Sequence, residues 1–230
     1  MAIPKTLMNA LRPVTLVVGH YGVGKTNFSV NLAIDLVSAG KQVTLIDLDI
    51  VNPYFRASEQ RRVLEDHGVE LVAPVFAEVG TSLDVPSLTG KVTPAIELAD
   101  DTRYVVMDIG GDDAGSVAVG RYARFVAAKD YAMLCVLNRF RNLVQDPADA
   151  VENLREIELA SRLRATALVN NSHLKQATTG DAIREGIQYA EELSQLMELP
   201  LVCTTAPANT EIQGVGELYR VQPYVKTPWE

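Results

Sequence analysis

Gly19-His20-Tyr21-Gly22-Val23-Gly24-Lys25-Thr26 is the stretch on which the reading of the chain turns. It has the form G-x-x-x-x-G-K-[ST], a phosphate-cradling loop whose pattern is meaningful only between a strand and a helix. Before it, Val14-Thr15-Leu16-Val17-Val18 is a short β-rich apolar run, predicted as a buried strand. After it, Phe28, Leu32, Ala33, Leu36 and Val37 recur at helical spacing, and Gly40 stands where a helix would stop. Glycines allow a backbone that turns its N–H groups inward, and a helix N-terminus adds positive potential. Gly19, His20, Tyr21, Gly22, Val23, Gly24, Lys25, Thr26 and Asn27 therefore form the expected nucleotide-binding set. Lys25 is expected to reach the β- and γ-phosphates, and Thr26 to turn its hydroxyl to Mg²⁺.

The chain has 230 residues, of which 47% are hydrophobic, enough for one domain with a substantial core over residues 1–230. A net charge of −8 argues against general affinity for nucleic acid or anionic membrane. No apolar run approaches the ~18 residues of a membrane span, and Met1–Pro13 lacks a signal-peptide core. Cys135 and Cys203 fall within predicted strands and read as buried free thiols in a reducing cytoplasm. The absence of CxxC spacing argues against an iron–sulfur cluster within one chain.

Apolar runs alternate with helical patterns along the chain. Strands are predicted at Gln42–Asp49, Val69–Val72, Arg103–Ile109, Tyr131–Leu137, Ala165–Val169 and Leu201–Thr204. Helices are predicted at Ala57–Asp66, Lys91–Asp101, Ala114–Lys129, Asp146–Arg164 (Asp146 as N-cap, Pro147 at the first position), Thr179–Glu198 and Thr210–Tyr219. Pro74–Gly90 reads as an irregular loop, equally a plain connection or a surface for substrate or partner. Near-continuously apolar strands imply a mostly parallel sheet of about seven strands covered on both faces, an α/β/α sandwich. Ligands of such folds sit at the carboxyl ends of the strands, where the acids of this chain lie. Asp47 and Asp49 end one strand, and Asp108 opens Asp108-Ile109-Gly110-Gly111 at the end of another. Carboxylates there can hold a Mg²⁺ ion's waters and orient an attacking water, and Gly111 lets a backbone N–H approach the γ-phosphate.

Together, Gly19–Thr26, Asp47-Leu48-Asp49-Ile50-Val51-Asn52-Pro53 and Asp108-Ile109-Gly110-Gly111 resemble the MinD/ParA/Mrp group of P-loop ATPases, in the SIMIBI class of P-loop NTPases. The resemblance spans nearly the whole chain. It implies ATP and Mg²⁺ as ligands, with Lys25 and Asp49 catalytic and Thr26, Asp47 and Asp108 supporting the metal. It implies that Asn170, after Ala167-Leu168-Val169, reads adenine and that Pro207 closes over the base. An Asn amide can pair with adenine N6 and N7, and Asn171-Ser172-His173 departs from the N-K-x-D of guanine readers. The group's best-known members carry a lysine where this chain has His20, which leaves nucleotide-driven homodimerisation open. Arg56 could stand in as a cation. The group's basic amphipathic membrane anchor has no counterpart in Val221–Glu230, with Pro223, Pro228 and Trp229.

The implied activity is a cytoplasmic ATPase, slow without its partner, that switches an unidentified protein partner. The alternatives are a small-molecule kinase or ATP-dependent ligase on the same scaffold, or an ATP-binding scaffold without hydrolysis. Arg121, Arg124 and Lys129, or Arg139 and Arg141, are candidates for a basic patch, but isolated helix arginines are usually solvated, so DNA is not the expected partner.

Overall fold

The computed structural model describes residues 2–49, 57–73, 90–111 and 113–225. Ile50–Pro53, Arg56, Pro228, Trp229 and all of the Pro74–Gly90 stretch but its last residue lie outside them.

The elements in chain order are α1 (Lys5–Ala10), β1 (Val14–Val18), α2 (Lys25–Ser38), β2 (Gln42–Leu48), a 3-10 turn (Ala57–Gln60), α3 (Arg61–Asp66) and β3 (Val69–Val72). Then come α4 (Val92–Leu98), β4 (Arg103–Ile109), α5 (Asp113–Gly120), α6 (Ala123–Ala127) and β5 (Tyr131–Leu137). The rest comprises α7 (Pro147–Ser161), β6 (Ala167–Asn170), a 3-10 turn (Lys175–Ala177), α8 (Gly180–Met197), β7 (Leu201–Pro207) and β8 (Leu218–Val221). The strands form one sheet in the order β3-β2-β4-β1-β5-β6-β7-β8, and every adjacent pair is parallel.

Strand β1 is buried at all five positions, as an apolar strand with both faces covered must be. Its neighbours are β4 and β5, so the loop leaving its carboxyl end emerges at the middle of the sheet. The register places Asp47 of β2 directly beside Asp108 of β4. Helix α7 begins as predicted: Asp146 accepts from the Ala148 N–H, and Pro147 occupies the first turn.

Two regions depart most from the sequence reading. The expected parallel sheet of about seven strands is present and has eight. The extra strand lies where Thr210–Tyr219 was expected to be helical. Leu218-Tyr219-Arg220-Val221 buries alternate residues, a period of two, while Gly214 takes a positive φ of 75° just before it. Tyr219 is fully buried, meets Phe28 edge-to-face, and its hydroxyl donates to Asp35 Oδ2 at 2.8 Å. The expected helix Ala114–Lys129 is two helices, α5 and α6, parted after Gly120. A Cβ at Gly120 would lie 2.9 Å from the Ala160 carbonyl oxygen, so the close packing of α5 on α7 explains that glycine.

Cys135 and Cys203 are buried and unpaired, and burial raises both thiols, Cys135 to about 12. Among the described residues no helix is long and apolar enough to cross a membrane. Of the arginines and lysines considered for a basic patch, Arg139 pairs with Glu185 and lies over the Tyr189 ring. Lys129 donates to the Glu97 and Ala99 carbonyls at the end of α4.

Candidate functional site

The loop between β1 and α2 takes the shape its glycines permit. Gly24, at the N-cap of α2, has φ +97°, a left-handed conformation that a side chain would strain. A Cβ there would also lie 2.3 Å from Asn171 Nδ2. The loop thus presents backbone at the N-terminus of a 14-residue helix, the arrangement that binds phosphate. Lys25 is buried, and its Nζ donates to the His20 carbonyl at 3.0 Å. The His20 ring is turned to its own loop, Nδ1 donating to the Tyr21 carbonyl at 3.1 Å. Gly111 packs on this loop so closely that a Cβ would come within 2.6 Å of the Tyr21 backbone and 2.7 Å of Lys25 Nζ. The D-x-x-G segment is therefore in contact with the phosphate loop.

Below the loop are the acids. Asp47, Asp49 and Asp108 are all buried, and the Asp49 N–H donates to Asp47 Oδ1 at 3.0 Å. Asp108 Oδ1 accepts from the Ser29 hydroxyl of α2 at 3.1 Å. Asp108 Oδ2 is buried with no hydrogen-bond partner among the described residues. Burial and then the charge of Asp47 raise Asp108 to about 7, against the pull of Thr26, Lys25 and Ser29. A buried carboxylate oxygen without a donor, beside a second carboxylate, is the environment a divalent cation relieves. The residues fit Mg²⁺: Thr26, Asp47 and Asp108 are the oxygen donors that would hold it, directly or through its waters.

A cavity of about 470 Å³ opens from Gly22, Val23, Gly24 and Asn27. That volume lies in the range of small-molecule sites. Its far wall comes from three separate stretches: Asn171 to Thr178, Pro207 to Thr210, and Val221 to Val225. Pro207, predicted to close over the base, is on this wall.

Asn170 is not. Its side chain turns toward α8, where a Cβ at Gly186 would lie 3.3 Å from Asn170 Oδ1. It accepts from the Ser172 N–H at 3.1 Å and donates to the Thr204 hydroxyl at 3.3 Å. The next residue, Asn171, lines the cavity. Its Nδ2 donates to the Val23 carbonyl of the phosphate loop at 2.7 Å, and its Oδ1 accepts from the Thr205 hydroxyl. Adjacent asparagines at a strand end face opposite ways, and the one on the cavity is the second.

The third wall was not foreseen. Asn27, Asn31 and Asp35 lie at i, i+4 and i+8 on α2, one face of that helix. Asn27 Oδ1 accepts from the Val225 N–H at 3.2 Å. Asn31 exchanges two bonds with the Gln222 backbone, at 2.7 and 2.9 Å, and Asp35 takes the Tyr219 hydroxyl. This polar stripe ties the segment 219–225 to the helix that starts at the phosphate loop. Asn31 and Asp35, set among Val30, Leu32, Ala33, Ile34 and Leu36 of α2, were the sequence signal for it.

No curated protein matches the chain. Among solved structures, the signal recognition particle receptor FtsY from Elizabethkingia anophelis, in complex with GDP, aligns with a TM-score of 0.54 at 21% identity, over 84% of this chain and 57% of that one. The signal recognition particle 54 kDa protein from Aeropyrum pernix, also in complex with GDP, gives 0.53 at 17%, over 86% and 41%. Chloroplast FtsY from Physcomitrella patens gives 0.58 at 19%, over 95% and 67%. The chain spans about half the length of the first two, and the likeness is one of fold. The family profile of the CobQ/CobB/MinD/ParA nucleotide-binding domain matches residues 14–196. With a phosphate loop, strand-end acids and a sheet of this topology, the chain belongs to the CobQ/CobB/MinD/ParA nucleotide-binding domain family.

Proposed function

We propose that the protein binds ATP, hydrolyses it, and passes its nucleotide state to a protein partner. The observation that carries ATP is the composition of the far cavity wall. Its lining offers the amides of Asn171, Gln176 and Asn209, the cations Arg141 and Lys175, and the apolar surface of Pro207, Ala208, Val221, Pro223 and Val225, and among the described residues no Asp or Glu lines it. Guanine presents two adjacent donors on its Watson–Crick edge, N1–H and N2–H, which one carboxylate meets best with its two oxygens. Adenine asks for less, one amino group and ring nitrogens that accept.

The hydrolytic assignment rests on Asp49, buried at the end of β2 beside the Asp47–Asp108 pair. Asp49 orients the attacking water, and Lys25 exchanges the His20 carbonyl for phosphate oxygens. Gly111, in contact with Tyr21 and Lys25, is displaced or held according to whether the γ-phosphate is present, which gives the switch its signal. When bound, Mg²⁺ neutralises charge on the β- and γ-phosphate oxygens. The partner is a protein whose identity follows from comparing what the ATP-loaded and ADP-loaded forms retain. The test is single-turnover hydrolysis with ATP and GTP at equal concentration. Faster turnover of ATP is expected; turnover of GTP at an equal or greater rate removes the ATP assignment.

A further inference from the structure

Among the described residues, two buried side-chain polar atoms have no hydrogen-bond partner: Asp108 Oδ2 and His173 Nε2. Buried polar groups are normally satisfied, so each exception calls for a cause. Asp108 Oδ2 belongs to the phosphate end and is explained by a cation. His173 lies on the far wall, two residues beyond Asn171, and lines the same cavity.

The chemistry of the His173 ring is fixed by its other nitrogen. Nδ1 accepts from the Lys175 N–H at 3.3 Å. A neutral imidazole has one donor and one acceptor nitrogen, so its proton is on Nε2. The ring is neutral at pH 7: burial first, then the charges of Arg141 and Lys175, lower it to about 4. Nε2 is thus a single, buried N–H donor without an acceptor.

We infer that His173 is a base-recognition residue, its Nε2–H donating to an acceptor nitrogen in the six-membered ring of a bound purine. The inference rests on the nucleotide reading above and adds the residue that reads that ring. The surrounding wall suits a base. Pro207, Val221, Pro223 and Val225 provide apolar surface, and Asn171 ties this wall to the phosphate loop through Val23. A phosphate would instead sit at Gly22–Asn27, where the backbone donors of the helix N-terminus are. If the acceptor is N1, the same donor disfavours guanine, whose N1 carries a proton and would meet it donor to donor.

Calorimetry with ATP, 1-deaza-ATP and 3-deaza-ATP tests this on the wild type, His173→Ala and His173→Gln. His173→Ala should weaken ATP about tenfold, because it leaves a ring nitrogen unpaired. One of the two deaza analogues should bind wild type and His173→Ala alike, since it lacks the atom being read. His173→Gln retains an N–H and should recover part of the loss. A loss that is equal for ATP and both deaza analogues overturns the inference while leaving the nucleotide site intact. A wild type that binds none of the three overturns the nucleotide reading and the inference with it.

Discussion

The two ends of the cavity are built in opposite ways. The phosphate end is local in sequence and electrically tense. Eight consecutive residues form its loop, and two carboxylates stand side by side beneath it. The far end is assembled from stretches widely separated in the chain. Asn171 of this end bonds the Val23 carbonyl, and its segment 221–225 is held by Asn31 and Asn27 of α2, all far apart in sequence. The contrast suggests a division of labour. On the proposed reading, charge and backbone at one end would hold what all nucleoside triphosphates share, and the side chains of the far wall would distinguish the base. Perturbing the first end should change binding and chemistry greatly, and perturbing the second should change selectivity modestly.

The largest effect belongs to Asp49. Asp49→Asn keeps the shape but weakens the acceptor that positions water. Turnover should fall by about 10²–10⁴-fold, with ATP still bound. Single-turnover rates measured beside ATP affinity decide it. A mutant that hydrolyses at the wild-type rate would detach the chemistry from this end of the cavity.

Next is the tension itself, measured without ligand. Asp108 is held near 7 when folded against an ordinary value of 3.8, so the folded state keeps a proton that the unfolded chain gives up. Its contribution is most favourable below about 4 and is lost as pH rises to about 7. Asp108→Asn has no charge to bury. In EDTA it should be more stable than wild type at pH 8 by a few kcal/mol, and this gain should vanish near pH 4. Urea midpoints at the two pH values measure it. A gain independent of pH would mean that no carboxylate strain is stored at this end.

Lys25→Ala follows, with about 10²-fold weaker binding of Mg-ATP by calorimetry, the scale of losing a charge-assisted bond to phosphate. Unchanged affinity would remove the loop from the binding site.

What the sequence disclosed follows the same division. Gly19–Thr26 and the strand-end acids were legible because their meaning lies in spacing along one segment and in where apolar strands stop. The far end depends on contacts that no spacing encodes, such as Asn31 with Gln222, 191 residues apart. Strand β8 overlaps the end of Thr210–Tyr219, a stretch with no strong period, and Tyr219 is packed against Phe28 and Asp35, both distant in sequence. At the motif position Asn170 does not line the cavity, whereas its neighbour Asn171 does. Motif position identifies the strand end, but the direction in which the last side chain points is set by Gly186 on one side and Gly24 on the other.

That one-residue difference gives the smallest and sharpest test. Asn171 Nδ2 has one hydrogen committed to the Val23 carbonyl and a second that can donate to a purine nitrogen. Removing the amide loses both a brace on the phosphate loop and a contact to the base. Asn171→Ala should therefore weaken ATP about tenfold, within the 1–3 kcal/mol typical of a good amide–base pair. Because the brace serves any nucleotide, GTP should weaken too, though by less. Asn170, by contrast, holds Ser172 and Thr204 and does not line the cavity. Asn170→Ala should lower stability by about 1–3 kcal/mol, because it leaves a buried N–H unpaired, and should leave the ratio of ATP to GTP affinity near its wild-type value. Competition binding with the two nucleotides separates the cases. If Asn170→Ala erodes the ATP preference more than Asn171→Ala, the first asparagine reads the base and the far wall is organised around a different residue than its geometry indicates.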